Sequence, residues 1–325
     1  MPDILISESV QGDALAALRS RFDVSYEPEL WKTPDLLAEA IKDCRALIVR
    51  NQTPVTAALM DAAPELIVIG RAGVGLDNVD AKHAEQSGIV VAYTPDQNAI
   101  SVAELAMGMM LSLARFIPAA DRDTKSGNWN RHKYTGVELY GKTLGIVGAG
   151  KIGYLTARRA MAFGMKVLAY DPFLSQDNVL LSELQAELVE LDDLLARADF
   201  VSCHLPATAQ TKGLLNAARF AKMKRGAFFI NTSRGKVVSE PDLVEALKSG
   251  TIGGAALDVR SKEPPVAGEL ETMPNVLLTP HIAAFTREAQ DRVTRAIFED
   301  VSRVLDGKPA INAVHSNAPR RLAAK

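Results

Sequence analysis

Cysteine is scarce: Cys44 and Cys203 are the only two in 325 residues, and no motif links them. A disulfide framework and a thiolate metal site are thereby excluded, and a reducing cytoplasm is the expected compartment. An excess of charge of either sign is missing too. Thirty-seven Lys and Arg stand against 39 Asp and Glu, a formal net charge of -2, so nothing electrostatic points to nucleic acid or an anionic membrane surface as a partner. The five histidines, His83, His132, His204, His281 and His315, lack paired ligand spacing, and no metal is expected. Repeats, low-complexity tracts and a signal-peptide pattern ahead of Ile4-Leu5-Ile6 are also absent. One long apolar run exists, Ile100 to Ile117, which touches the lower length limit of a membrane span. It carries Glu104, Arg115 and several small residues, so a buried helix is the expectation.

What is present is the composition of a soluble enzyme, 47% hydrophobic and 23% charged, in a chain long enough for two α/β domains. Apolar strands at Ile4–Ser7, Ala46–Arg50, Leu66–Ile69 and Val90–Tyr93 alternate with helical stretches such as Thr56–Ala63 and Asn78–Gln86, the pattern of a parallel βα unit. A second series runs through Val167–Tyr170, Phe200–His204, Ala227–Thr232, Ala255–Val259 and Val276–Thr279, with helices such as Pro241–Lys248 between them. That too reads as an open, mostly parallel sheet. The last long helical pattern, Thr286 to Leu305, needs a home, for which a domain split by an insertion is one candidate. Ser316 to Lys325 reads as a frayed basic tail.

Leu144-Gly145-Ile146-Val147-Gly148-Ala149-Gly150-Lys151-Ile152-Gly153 is a buried strand entering a glycine turn and then a helix from about Lys151 to Phe163. Gly148 permits the turn, Gly150 lets backbone amides approach a pyrophosphate, and Gly153 lets the helix pack close to its strand. Glycines alone are a weak signal. Here the next strand ends in Asp171, about 20 residues on, where a carboxylate accepts hydrogen bonds from an adenosine ribose and repels a 2′-phosphate. NAD is therefore expected rather than NADP. Lys151, Ile152, Pro172, Thr232 and Ser233 are expected by position to line the cofactor. Asp258, closing the strand Ala255–Val259, is a candidate to hold the nicotinamide carboxamide, with a helix-capping or interdomain aspartate as the plain alternative.

Arg234, Glu263 and His281 each follow a short apolar strand in the last third of the chain. Together they supply the charges that reduction of a 2-keto acid requires. A guanidinium grips the substrate carboxylate through two parallel hydrogen bonds, an imidazolium protonates the nascent alkoxide, and a carboxylate within about 4 Å orients that imidazole and favours its charged form.

To about Ala313 the chain resembles the D-isomer-specific 2-hydroxyacid dehydrogenases, especially their phosphoglycerate dehydrogenase branch. The likeness rests on the glycine turn, Val102-Ala103-Glu104-Leu105-Ala106, Thr211 to Asn216, Asn231-Thr232-Ser233-Arg234-Gly235, Asp258 with Glu263-Pro264, and Thr279-Pro280-His281. It implies a Rossmann NAD-binding domain, 99–285, inserted into a flavodoxin-like substrate domain made of 1–98 and 286–313, with 314–325 as a tail. It also implies a homodimer built largely through the NAD domains. Arg234 is assigned to the substrate carboxylate, His281 to proton transfer and Glu263 to support of that histidine.

Substrate identity is less legible. Gly70-Arg71-Ala72-Gly73-Val74-Gly75 is a loop whose glycines are expected to expose backbone amides as an anion-binding nest, and Gly73, Val74 and Gly75 are the expected substrate contacts, with Arg234. Arg50-Asn51-Gln52-Thr53 is placed to reach a second anionic group. Asn51 replaces the serine more usual in the phosphoglycerate branch, and a C-terminal regulatory domain is not expected. Substrates of 3-phosphoglycerate, glycerate/hydroxypyruvate and sulfolactate type thus all stay open. Trp129-Asn130-Arg131-His132-Lys133-Tyr134 is basic and aromatic, and reads either as a contributor to the neighbouring subunit's cleft or as a solvated edge loop. Two rivals to the dehydrogenase are a non-catalytic NAD-sensing corepressor-like protein and a formate dehydrogenase type of enzyme. The latter would carry glutamine in place of Glu263.

Overall fold

A computed structural model describes residues 2–10 and 14–315; the tail expected at Ser316 to Lys325 lies outside them. The chain divides into two compact units, one made of the first 98 residues with the chain from Phe285 onward, the other of Ala99–Ala284.

The first unit is a five-stranded sheet of β1 (Ile4–Ile6), β2 (Val24–Tyr26), β3 (Ala46–Val49), β4 (Val68–Arg71) and β5 (Val90–Tyr93), ordered β2-β1-β3-β4-β5 with every pairing parallel. Side-chain alternation along these strands sorts the core into two layers. Ile4, Ile6, Ala46, Ile48 and Val68 face one way, and Leu5, Leu47, Val49 and Ile69 the other. The first layer is covered by the helix Arg287–Leu305, whose Val293, Ile297, Val301 and Val304 make one apolar stripe at helical spacing. That settles where the last helix packs. Gly70 allows the contact, because a Cβ there would lie 2.7 Å from Val301 Cγ2. The second layer is covered by Leu37 and Ile41, and by Leu59 and Met60 of the helix Ala57–Asp61.

The second unit holds β6 (Thr143–Val147), β7 (Lys166–Tyr170), β8 (Glu187–Leu188), β9 (Phe200–Cys203), β10 (Ala227–Asn231), β11 (Ile252–Leu257) and β12 (Val276–Leu278). Their order is β12-β11-β10-β9-β6-β7-β8, again all parallel. From β6 the chain winds outward through β7 and β8, then returns to β9 on the other flank. Between β6 and β9 lies the switch point, where doubly wound sheets open a crevice beyond the strands' carboxyl ends.

Two strands were not among those read from the sequence. Val24–Tyr26 and Glu187–Leu188 are edge strands of three and two residues with no fully buried position, so they leave no apolar run to detect. The apolar segment from Ile100 is a helix, Ala99–Arg115, whose Ala106, Met110, Leu113 and Ala114 pack with Leu144 and Ile146 of β6. Phe116, at φ 54°, breaks it, and a second helix, Ile117–Lys125, follows at a 61° bend. Among the described residues no single helix is long and apolar enough to cross a membrane.

Candidate active site

β6 and β9 run in register from Leu144 and Phe200 to Val147 and Cys203, so Gly148 and His204 emerge side by side at the switch point. Gly148 adopts φ 95°, and a Cβ on it would touch the His204 carbonyl oxygen at 3.0 Å. Left-handed backbone in so close a space suits glycine alone. Gly153, in the first turn of the helix Lys151–Ala162, faces the Gly148 oxygen so closely that a Cβ would lie 2.3 Å from it. Gly150 caps that helix without a side-chain bond, and a Cβ added to it would meet nothing within 4 Å. The helix N-terminus thus lacks a side-chain cap and has open space at Gly150, which suits the approach of a pyrophosphate.

Asp171 follows β7, and its carboxylate accepts from Ala149 N and from Phe173 N, each at 3.0 Å. These bonds fix the acid beside the glycine turn, with a second lone pair on each oxygen for further donors. Lys151 and Pro172 are exposed and Ile152 is half-buried. At the carboxyl ends of β9 and β10, His204 Nδ1 and Thr232 Oγ1 are buried with no hydrogen-bond partner. Burial pushes the His204 imidazole down to about 4, so it is neutral. Buried polar atoms without partners are costly, and two of them at the rim of this crevice suit a polar ligand there.

The three charges expected to do the chemistry all lie in this unit, and the Glu263 carboxylate feels both of the others. After β10, Asn231 shapes the turn: its side-chain oxygen accepts from Ser233 N at 3.0 Å, and its nitrogen donates to the Arg234 carbonyl at 3.1 Å. Arg234 Nη1 donates to Ser233 O at 2.8 Å. Glu263, on the exposed loop after β11, bonds His281 Nδ1 through Oε2 at 2.7 Å and accepts Arg260 N through Oε1 at 3.0 Å. Burial pushes the Glu263 carboxyl up. The bonds from His281 and Arg260 N, with the charges of His281 and Arg234, outweigh burial and hold it below the usual carboxylate range. The bond engages Nδ1 and leaves Nε2 of the His281 ring outside it.

His281 itself is held at φ 55°, a left-handed conformation uncommon outside glycine, asparagine and aspartate. Asp258 accounts for it. Only 1% exposed, its carboxylate accepts from Thr279 Oγ1 at 2.5 Å and from Ile282 N and Ala283 N at 2.8 Å, while its carbonyl accepts His281 N at 2.8 Å. In this structure Asp258 anchors the loop that carries the histidine.

In the first unit, the loop after β4 puts the Arg71 guanidinium directly over Gly73, where a Cβ would meet Nη1 at 1.5 Å. Val74 beside it is exposed and Gly75 half-buried. Beyond β3, the Arg50 guanidinium bonds Gln290 Oε1 at 2.5 Å and lies 4.8 Å from the Phe285 ring centroid, while Asn51 is exposed. A residue that sequence reasoning missed organises this loop. Glu8, 2% exposed, accepts from Arg50 N at 2.9 Å, Gln52 N at 3.1 Å and Thr53 N at 2.8 Å. Its only signal in the sequence is an acid just past a buried strand. Trp129 is 78% exposed on a loop fastened by Asn128 and Asn130 to Asp123. Among the described residues no group of three or more His, Cys, Asp or Glu is arranged to hold a metal.

Comparison with known proteins matches residues 107–283 to the profile "D-isomer specific 2-hydroxyacid dehydrogenase, NAD binding domain". A D-3-phosphoglycerate dehydrogenase of Archaeoglobus fulgidus is 43% identical over 313 residues, covering 96% of this chain and 59% of the relative. One from Methanocaldococcus jannaschii is 42% identical over 327 residues, covering 100% of this chain and 62% of the relative. The chain thus spans about three-fifths of the length of these relatives. Among solved structures, a protein from Thermus thermophilus superposes with a TM-score of 0.90 at 35% identity, covering 96% of this chain and 99% of that one. A D-lactate dehydrogenase of Aquifex aeolicus, complexed with NAD and lactic acid, gives 0.84 at 30% identity, covering 94% and 96%. With a profile match over more than half its length and a relative aligned almost end to end, the chain belongs to the D-isomer specific 2-hydroxyacid dehydrogenase family.

Proposed function

We propose that this protein is an NAD-dependent 2-hydroxyacid dehydrogenase that interconverts a short 2-keto acid bearing a second anionic group and its 2-hydroxy acid. The observation that carries the reading is the 2.7 Å pair of His281 and Glu263 beside Arg234. When bound, the reduced cofactor supplies a hydride to the keto carbon. Arg234 binds the substrate carboxylate through its planar fork, which turns the carbonyl toward His281. His281 donates the Nε2 proton to the oxygen as its charge develops, and Glu263 stabilises and orients the imidazolium. Positioned proton transfer of this kind contributes about 10²–10⁴ in rate. In the oxidative direction the same imidazole takes the hydroxyl proton.

The glycine turn, the uncapped helix and the two unpartnered polar atoms, His204 Nδ1 and Thr232 Oγ1, support cofactor binding by Gly148, Gly150, Lys151, Ile152, Gly153, Pro172 and Thr232. Asp171 supports NAD over NADP through repulsion of a 2′-phosphate. For the substrate, Gly73, Val74, Gly75 and Asn51 are the assigned contacts, with Arg50 held ready for a distal anion. The relatives named D-3-phosphoglycerate dehydrogenase favour a phosphorylated three-carbon acid. The two buried, unpaired cysteines suit a cytoplasmic enzyme, and a homodimer is the expected assembly. The test is NADH oxidation with hydroxypyruvate, phosphohydroxypyruvate, sulfopyruvate, glyoxylate and oxaloacetate. Turnover strongest with a dianionic keto acid supports the assignment. No detectable turnover at any concentration, with NADH still bound, overturns it in favour of a sensing, corepressor-like role.

A further inference from the structure

The loop after β11 contains an ion cluster that the proposed chemistry does not use. The Arg260 side chain is only 10% exposed and divides its guanidinium between two carboxylates, with Nη2 2.9 Å from Glu240 Oε2 and Nη1 bonded to Glu271. Glu240 opens the helix Glu240–Lys248, which follows the Arg234 turn, and Glu271 lies in the short 3-10 turn Leu270–Thr272. Each acid also fixes backbone: Glu240 Oε1 accepts Ser261 N at 2.5 Å, and Glu271 Oε2 accepts Gly268 N at 2.8 Å.

The main chain of the same arginine faces the catalytic groups. Arg260 N donates to Glu263 Oε1 at 3.0 Å. Its carbonyl carbon and oxygen abut Gly235, where a Cβ would lie 2.0 Å from both. One residue therefore touches the acid that holds His281 and the turn that carries Arg234. We infer that Arg260 is a positioning residue: its guanidinium, pinned between Glu240 and Glu271, sets the place of the loop whose backbone orients Glu263 and seats the Arg234 turn.

This inference rests on the proposed roles of Glu263, His281 and Arg234. The planar fork matters because it reaches two acceptors at once, which a lysine ammonium on a flexible stem cannot reproduce. Both acids stand as anions. Burial pushes Glu240 up, but Arg260 and Ser261 more than offset it; Glu271 is held down chiefly by its bond from Arg260. The groups acting on Glu263 are His281, Arg234 and the Arg260 N–H, while Glu240 and Glu271 act on the Arg260 guanidinium. Release of the clamp therefore reaches Glu263 through the backbone. Displacement of a reacting group by about 1 Å costs on the order of 10²-fold in rate.

The test compares wild type, Arg260→Met and the triple variant Arg260→Met/Glu240→Gln/Glu271→Gln, which removes the clamp without leaving a carboxylate unpaired. Two readouts are taken. One is the pH profile of kcat with the best keto acid. The other is the carboxyl-carbon NMR titration of Glu263 in glutamate-labelled protein, which needs no turnover. The expected result is a fall in kcat of about 10- to 100-fold in both variants, unchanged NADH affinity, and a Glu263 midpoint that moves up toward the ordinary range together with the acid limb of kcat. Arg260→Lys should recover only part of the loss. If the triple variant keeps the wild-type Glu263 midpoint and kcat profile, whatever its thermal stability, the inference is overturned. Absence of turnover in wild type would instead sink the functional assignment and leave the NMR comparison to decide on the clamp.

Discussion

Replacement of Glu263 by glutamine isolates the charge at the centre of the site while keeping its shape. The amide still offers an oxygen to His281 Nδ1, now 2.7 Å from a carboxylate, but no longer a negative charge. A hydrogen bond to a charged group is worth about 1.5–3 kcal/mol, against about 0.5–1.5 kcal/mol for a neutral one. The difference, about 1–2 kcal/mol, corresponds to roughly 5- to 30-fold in kcat for the reductive reaction. Its direction with pH follows from linkage. Glu263 is depressed in the folded chain, so its stabilising contribution is complete above the unfolded carboxyl's range and is lost as pH falls through the lower folded value. Wild type and variant should therefore differ most in stability near neutrality and converge in acid. Steady-state NADH oxidation from about pH 4 to 9, with thermal melts on the same buffers, measures both. An unchanged kcat and pH profile in the variant would refute a role for this carboxylate in proton transfer.

Arg234→Lys should lower kcat/KM for the preferred keto acid by roughly 10- to 100-fold, because one of two charged bonds is lost, at about 1.5–3 kcal/mol; stopped-flow NADH fluorescence checks that cofactor binding survives. Asp171→Ser should raise kcat/KM with NADPH relative to NADH by about tenfold or more by removing repulsion of the 2′-phosphate, read from parallel assays with the two cofactors. Glu8→Gln would set an amide NH2 against three backbone N–H donors and cost about 1–3 kcal/mol in denaturant unfolding. Its KM for a dianionic keto acid should rise while that for glyoxylate stays put.

Much of the candidate site was readable because its residues follow the carboxyl ends of apolar parallel strands. Apolar runs locate those ends, so Arg234 after β10 and His281 after β12 could be singled out from spacing and charge. Glu263 was equally visible as the acid beyond β11. The turn at Gly148 was legible for a similar reason, since strand, glycines and Asp171 follow one another along the chain. Glu8, Arg260, and the work of Asp258 on the histidine loop were not. Their partners lie 42 to 45, 11 to 20, and 21 to 25 residues away, and nothing in local composition distinguishes such an acid or arginine from a solvated one.

The amino-acid order alone was enough to determine the parallel α/β class and to single out the glycine turn with Asp171 and the trio Arg234, Glu263 and His281, because each depends on hydrophobic period or on side chains close to a strand end. Tertiary structure alone decided that Glu263 bonds Nδ1 of His281, that Asp258 holds His281 in a left-handed conformation, and that the helix Arg287–Leu305 closes the sheet of the first unit. Those contacts depend on how loops and faces distant in sequence meet. Chain folding brings them together, and no local pattern encodes the distance between them.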